Sequence, residues 1–464
     1  GKLGEILSHP DEFLPLVRIY LAHKRATKLP TEPGLAFCYG ILNNVSRSFA
    51  VVIQQLPNPL RDAICVFYLV LRGLDTVEDD MALDNKVKLP ALLSFHEKIY
   101  QRGFTMECGY NHYQRLMRQF DIVVDVFLGL EPHFQRVIAD ITRQMGHGMA
   151  EFITKDVVSV DDYDRYCHYV AGLVGIGLSQ LFASSGLESA AFATKTDAAN
   201  HMGLFLQKTN IIRDYLEDIL EEPAPRMFWP RDIWGSYAGT LDEFKQPDAR
   251  AAALRCLNHM VLDALRHLPH CVRYMSGLRD ESVFRFCAIP QIMAAGTLAL
   301  CYNNGRVFEG VVKMRRGETA CVFDRCSDMG DLYTWFLQFL HMLQAKTREV
   351  AADDPTLPDM EAVLEGHVAL CTRGLEKWQA EHPVQFSPLA AARDLGAVLV
   401  AGCYAYLAFG MGRGMSSVPE ALRPAMQHAQ AVVSWRKEQT AVLHTILAAV
   451  LLLLAMRTAI MARR

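Results

Sequence analysis

FYLVLRGLDTVEDD, residues 67–80, runs a mostly apolar segment, Phe67–Leu74, straight into the acids Asp75, Glu78, Asp79 and Asp80. Apolar residues recur at three- and four-residue spacing through Ile64–Leu74, which predicts a helix. On an ideal helix each residue advances by about 100°, so Tyr68, Arg72, Asp75 and Asp79 share an arc of roughly 60° while Glu78 falls to one side. Farther along, QKTNIIRDYLED (Gln207–Asp218) repeats the arrangement. Gln207, Asn210, Asp214 and Asp218 fall within roughly 80°, with Glu217 displaced. Each segment therefore offers two aspartates one turn apart on a common polar face.

That face is unexpected among such neighbours. Carboxylates in strongly apolar helices are seldom buried unless paired or metal-bound. Two carboxylate pairs facing each other across a bundle would repel, and divalent cations would remove the repulsion. Oxygen-rich ligands suit magnesium, which keeps several waters and bridges carboxylate to phosphate. The flanking Arg72 and Arg213 add the donors that a diphosphate favours. The competing reading is a solvated helix face with ordinary charge pairs four residues apart. Two copies with the same internal offsets, both within apolar helices, weigh against it.

The rest of the chain reads as helix too. Val123–Leu130, Phe134–Met145 and Met202–Ile212 show the same periodicity. No strand pattern of useful length and no hairpin turn between apolar runs is found. Breaks are expected at Pro57–Pro59, Leu83–Pro90, Glu221–Pro225, Gln246–Asp248 and Asp353–Pro358, none long enough for a flexible linker. The expected architecture is all-α: a single large helical bundle over residues 1–385, a helical or loop connection over 386–434, and a C-terminal membrane anchor over 435–464. With 51% hydrophobic residues among 464, a net charge of −4 and no basic tract, a large core is expected and nucleic acid is not an expected partner. The 12 cysteines are scattered without a C-x-x-C pair, and reduced thiols are expected. His267, His270 and Cys271 cluster near Pro269, but a zinc site would need a fourth ligand and supporting partners, so they read as helix-end residues.

The N-terminal GKLGEILSHPDEF has neither the apolar run of a signal peptide nor the Arg/Ser-rich character of a transit peptide. Ala441–Met456 is free of formal charge and flanked by Arg436, Lys437 and Arg457. At 1.5 Å per residue it spans about 24 Å, short of a hydrocarbon core of about 30 Å, but snorkelling arginines and a thin membrane make up the difference. A tail anchor is expected there. Leu395–Met411 is also uncharged and reads as a packed or membrane-surface helix.

These stretches together carry a resemblance. VSRSFAVVIQQLP (Val45–Pro57), FYLVLRGLDTVEDD (Phe67–Asp80), YCHYVAGLVGIGLSQLF (Tyr166–Phe182), QKTNIIRDYLED (Gln207–Asp218), RMFWP (Arg226–Pro230), FCAIPQIMA (Phe286–Ala294), CYNN (Cys301–Asn304) and VKMRRG (Val312–Gly317) appear in order. In them the chain resembles the squalene synthases, farnesyl-diphosphate farnesyltransferases of sterol biosynthesis within the head-to-head prenyl transferases. The resemblance implies an isoprenoid-synthase bundle with a central apolar cavity. It implies condensation of two farnesyl diphosphates to presqualene diphosphate, then rearrangement and reduction by NADPH to squalene. It implies Mg2+, or Mn2+, held by Asp75, Glu78 and Asp79 and by Asp214 and Asp218. Tyr68 and Tyr166 match catalytic tyrosines, Tyr166 as a base, although a phenol of ordinary pKa about 10 is a poor one. Ser46, Arg47, Ser48, Phe49, Arg72, Gln207, Asn210, Arg226 and Phe286 match substrate-binding residues. Arg213, Lys313, Arg315 and Arg316 match residues around the NADPH phosphates. A monomer on the endoplasmic reticulum membrane, its catalytic domain facing the cytosol, is expected. AGLVGIG (Ala171–Gly177) follows no strand and so is not expected to be a dinucleotide loop; its glycines are expected to allow close packing. The alternatives are a paralogue that stops at presqualene diphosphate or makes another C30 product, a phytoene synthase-like enzyme, and a non-catalytic helical scaffold.

Overall fold

A computed structural model describes residues 9, 12–222 and 225–383, the side chains of Arg47 and Ser48 excepted. The chain divides into two compact units, Gly1–Leu16 with Gln385–Arg464, and Val17–Val384. The second unit holds both acidic clusters. The expectations for a connection over 386–434, for Leu395–Met411 and for an anchor at Ala441–Met456 fall on residues outside those described.

The architecture is all-α, with no strand among the described residues. Two helices organise it. The first acidic helix, Leu60–Asp79, packs on Pro33–Val45, Asn85–Lys98, Phe120–Gly129 and Pro132–Phe152. The second, Thr196–Arg213, packs on Leu173–Ser184, Arg250–Leu265, Leu268–Met275 and Glu281–Cys301. Leu173–Ser184 touches both acidic helices and so ties the two groups together. The first acidic helix buries Ile64, Phe67, Leu71 and Leu74, its three- and four-spaced apolar set, with Val66, Val70 and Val77 buried on other sides. Each such side chain, fully buried, contributes about 1.5–3 kcal/mol. From Ala63 to Asp79, only the strip through Tyr68, Arg72, Asp75 and Asp79 is left less than fully buried, because those polar groups need water or partners.

The glycines of Ala171–Gly177 allow the close packing expected of them. Val160–Cys167 passes through a π-helical turn, His168–Gly172, into Leu173–Ser184, with no strand before it. A Cβ on Gly172 would strike Asn200 Oδ1, one on Gly175 the carbonyl of Ala199, and one on Gly203 the carbonyl of Ala171. Backbone therefore lies against backbone along a seam between this segment and the second acidic helix. His168 Nδ1 meets Asn200 Oδ1 across it at 2.8 Å.

Glu281–Cys301 is apolar and long enough to cross a membrane, but 78% of its most apolar window is buried inside the protein, as for a core helix. The described cysteines are all buried and no disulfide joins them, in line with reduced thiols. One expected break is corrected. Residues 80–84 form the turn, but Asn85–Lys98 is already helical and carries Pro90 inside it. Asp84 caps its first turn by accepting from Lys86 N at 2.8 Å, and burial of Leu92 and Phe95 holds it against the lost proline donor.

Candidate active site

The first acidic cluster stands at a helix C-terminus, and the second at a junction where one helix ends and a short one begins. Asp75, Glu78 and Asp79 close the first acidic helix, and Asp214 follows directly on Arg213, the end of the second. Carbonyl dipoles concentrate negative potential at a helix C-terminus, so the carboxylates of the first cluster are disfavoured unless cations join them. At the first cluster cations do. Arg226 Nη2 lies 3.2 Å from Glu78 Oε1. Its Nη1 donates to Asp79 Oδ1. Lys88 Nζ donates to the Glu78 carbonyl at 2.9 Å, capping the helix end. Arg72 Nη1 lies 3.5 Å from Asp75 Oδ2.

The ideal-helix angle sets Glu78 to one side of the polar face, and the structure shows where that side leads. Glu78 is the most deeply buried acid of the cluster, 5% exposed, whereas Asp79 is exposed. Burial, opposed by Arg226 and assisted by Asp79 and Asp75, pushes Glu78 up to about 8. Burial raises Asp75 to about 6 against the pull of Arg72. The second cluster departs from the single helix expected over Gln207–Asp218. The helix ends at Arg213, Asp214 turns the chain (φ −92°, ψ 11°), and a short helix, Tyr215–Ile219, resumes. Arg213 folds back on Asp214 as a fork, Nε to Oδ1 at 2.7 Å and Nη2 to Oδ2 at 2.6 Å. Glu217, displaced from the polar face like Glu78, is exposed rather than buried. Burial, with Asp214 and Glu217 adding to it, raises Asp218 to about 7.

Arg226 joins the clusters. Its backbone N–H donates to the Asp218 carbonyl at 3.1 Å while its guanidinium holds Glu78 and Asp79. Its charge also acts on Asp75 and Asp218. The loop carrying it is fixed by Trp229, fully buried, whose Nε1 donates to the Ile211 carbonyl at 3.1 Å. Arg226 lies over the Phe228 ring (5.5 Å), and Phe228 stacks on Tyr166 with centroids 4.1 Å apart at 9°. Tyr166 is buried, and burial drives its phenol well above the ordinary value, with Glu78 adding to the effect and Arg226 opposing it. That environment makes a phenolate costly. Glu221 and Glu222, beside the second cluster, face water as expected.

On the outer side of the first cluster, Arg72 lies between the rings of Tyr68 (5.7 Å) and Tyr113 (5.6 Å). Its Nε is buried without a hydrogen-bond partner among the described residues. A cavity of about 70 Å³ opens here, lined by Arg72, Thr76, Asp79, Asp80, Gly109, Tyr110 and Tyr113. Phe49 is exposed with its ring 5.8 Å from Tyr68, and Ser46 begins the short helix Arg47–Ile53 that carries it.

The remaining expected residues are more scattered. Gln207 is half-buried and Asn210 exposed on the last turns of the second acidic helix. Phe286 is buried and meets Phe182 edge to face at 5.9 Å. In the segment 312–316, Val312 and Met314 turn inward while Lys313 is exposed, Arg315 is half-buried and Arg316 is exposed. Cys301 feels the charges of Arg213 and Asp214, which puts the start of CYNN beside the second cluster.

Sequence reading missed several participants. Lys88 and Tyr113 lie in segments with no signal of their own. Phe228 and Asp80 sit inside stretches that carry the resemblance, but only the fold gives them a role. Asp80 Oδ2 accepts from Gly109 N at 2.7 Å and so fastens the loop that brings Tyr110 and Tyr113 to the cavity. Lys208 did have a signal, a lone cation in an apolar run. It is buried between Asp164 (2.5 Å) and Asp263 (2.6 Å) and locks the second acidic helix to its neighbours.

The comparisons with known proteins agree with this geometry. Residues 42–318 match the family model described as squalene/phytoene synthase. Squalene synthase LSS of Botryococcus braunii is 56% identical over 375 residues, 81% of each chain. Squalene synthase 2 of Panax ginseng is 55% identical over 369 residues, 78% of this chain and 87% of that one. A solved structure of a ligand complex of TcSQS superposes with a TM-score of 0.72 at 45% identity, covering 74% of this chain and 99% of that one. On sequence and fold, this chain belongs to the squalene/phytoene synthase family.

Proposed function

We propose that this chain condenses two farnesyl diphosphates to presqualene diphosphate and then, with NADPH as hydride donor, converts that to squalene. The observation that carries the reading is the meeting of two carboxylate clusters on the single residue Arg226. The donor set suits magnesium or manganese: all ligands are carboxylates, and burial holds Asp75, Glu78 and Asp218 near or above neutrality despite the arginines beside them. When bound by Asp75, Glu78, Asp79, Asp214 and Asp218, the metal would offset the charge of a departing diphosphate.

The chain's own residues supply the rest. Arg72, with a spare buried N–H beside the cavity, offers a diphosphate directional donors, aided by Ser46, Arg47 and Ser48. Arg226 is positioned to turn from Glu78 and Asp79 to a diphosphate placed between the clusters. Gln207, Asn210, Phe49 and Phe286 are proposed to line the substrate pocket. The faces of Tyr68, Phe228 and Tyr166 can stabilise an allylic cation and exclude water that would trap it. The double bond of the second farnesyl chain attacks that cation, and loss of a proton closes the cyclopropane. Tyr166, held as a neutral phenol, orients that step, and the released diphosphate takes the proton. Arg213, Lys313, Arg315 and Arg316 are the proposed contacts of the NADPH phosphates. Membrane attachment through residues 435–464 at the endoplasmic reticulum, a cytosolic catalytic unit and a monomeric state complete the proposal.

Purified protein given farnesyl diphosphate and magnesium is expected to accumulate presqualene diphosphate, and with NADPH added to yield squalene, read by gas chromatography. A C30 hydrocarbon other than squalene, or no product in either incubation, would overturn the assignment.

A further inference from the structure

The second acidic helix carries chemistry at its other end as well. Asp197, in its first turn, and His201, one turn later, lie on one face, and the helix Leu268–Met275 brings His270 against them. One ligand atom from each of the three lies within 4.8 Å of those of the others. Asp197 Oδ1 is 3.6 Å from His201 Nε2, and Asp197 Oδ2 is 3.8 Å from His270 Nδ1. Two zinc bonds of about 2.0–2.1 Å at a tetrahedral angle set their ligand atoms about 3.4 Å apart; the His201 and His270 rings are stacked, with centroids 3.7 Å apart at 27°, so one ring must turn out of the stack for both nitrogens to face the ion.

A resident cation already marks the point of convergence. Arg273 Nη2 donates to Asp197 Oδ2 at 2.7 Å and to His270 Nδ1 at 3.0 Å. A guanidinium can only donate, so His270 Nδ1 presents its lone pair to the same spot as the carboxylate. In that contact the His270 nitrogen facing Asp197 takes the acceptor role. Behind His201, its Nδ1 meets Nδ1 of His267 at 2.7 Å. His267 is 6% exposed, and its Nε2 is buried without a hydrogen-bond partner among the described residues. One proton is shared between the two Nδ1 atoms. When His201 donates it, His201 Nε2 is bare toward Asp197, the arrangement by which an outer imidazole fixes the tautomer of a metal-ligating one.

We infer that Asp197, His201 and His270 form a second cation site, for a zinc-class divalent ion rather than magnesium. It is separate from the acidic clusters, with Arg273 as the side chain the ion displaces. Two imidazoles and one carboxylate suit zinc, nickel or copper, whereas magnesium prefers oxygen. From Asp197 to Arg213 the helix rises about 24 Å, so the site lies far from the diphosphate chemistry. A bound ion would clip Thr196–Arg213 to Leu268–Met275.

The test is zinc titration of the full-length protein by calorimetry, with excess magnesium filling the acidic clusters. Cobalt(II) absorption serves as a second readout, where the absence of a thiolate charge-transfer band separates this site from cysteines. One equivalent is expected in the unaltered protein. His270→Ala and Asp197→Asn, both at solvent-accessible positions, should each weaken it tenfold or more with unchanged circular dichroism. Arg273→Ala should tighten it severalfold, which no merely structural role for the cluster predicts. Zinc uptake indifferent to all three substitutions, or no uptake at all, would overturn the assignment.

Discussion

The two acidic segments share the pattern Asp-x-x-Glu-Asp and meet opposite fates. The first stays within one continuous helix, Leu60–Asp79, and its acids are paired with Arg226 and Arg72 while Lys88 holds the Glu78 carbonyl. The second breaks at Asp214, and its most direct partner is the adjacent Arg213. Burial explains the difference. Glu78 is enclosed and would be costly unpaired, so the fold supplies a cation from elsewhere in the chain. Asp214, Glu217 and Asp218 keep partial access to water and need less. The same motif thus yields a preassembled half-site and an adaptable one.

The most severe way to break this comparison is to remove one aspartate from each half. Asp75→Asn and Asp214→Asn are each expected to lower turnover by about a thousandfold or more, with helicity by circular dichroism unchanged. If one variant keeps near-normal activity, the two halves are not joint ligands.

Next comes Arg226→Ala. Leaving Glu78 and Asp79 without their partner should cost about 3 kcal/mol in denaturant unfolding of the metal-free protein. Magnesium is expected to restore much of that loss. A loss that magnesium leaves untouched would mean Arg226 acts only on its loop.

Titration sharpens the contrast without mutation. Asp75, Glu78 and Asp218 bind protons more tightly in the fold, to about 6, 8 and 7, than free carboxylates near 4. Folding therefore takes up protons, and the stability these groups confer is present below about pH 4 and lost as pH rises through those values. The metal-free protein should lose melting temperature between about pH 5 and pH 8 relative to Asp75→Asn/Glu78→Gln. The gain from added magnesium should grow over the same window, because the ion competes with protons for these carboxylates. A pH-independent magnesium effect would contradict the buried, proton-holding first cluster. The smallest effect is expected for Arg213→Ala in metal-free stability, about 0.5 kcal/mol, since that pair is partly exposed and local.

The all-helical fold was legible because apolar spacing in segments such as Ile64–Leu74 and Met202–Ile212 repeats what the helices bury. The Ala171–Gly177 glycines were legible for the same reason: without a strand before them, close packing was the use left. What an ideal helix could not give was the depth of Glu78 or the turn at Asp214. Angle around an axis says nothing about which neighbour covers a face, nor where a helix stops. Lys88, Tyr113 and Phe228 were invisible for a related reason, since their roles exist only through contacts between segments far apart in sequence. Pro90 misled because local propensity was outweighed by the burial of Leu92 and Phe95.

The glycine seam between Ala171–Gly175 and Ala199–Gly203 has a mechanical consequence. Side chains between helices act as compliant padding that can change rotamer when one helix shifts. Here the backbones touch directly at Gly175 and Gly203, and at Gly172 the only filling is the Asn200 side chain, held by His168, so little padding can yield. The π-turn segment and the upper part of the second acidic helix therefore move as one rigid lever. Any displacement imposed near Asn200 or Ala199 is carried undamped to the other helix, and through Val160–Cys167 to Tyr166.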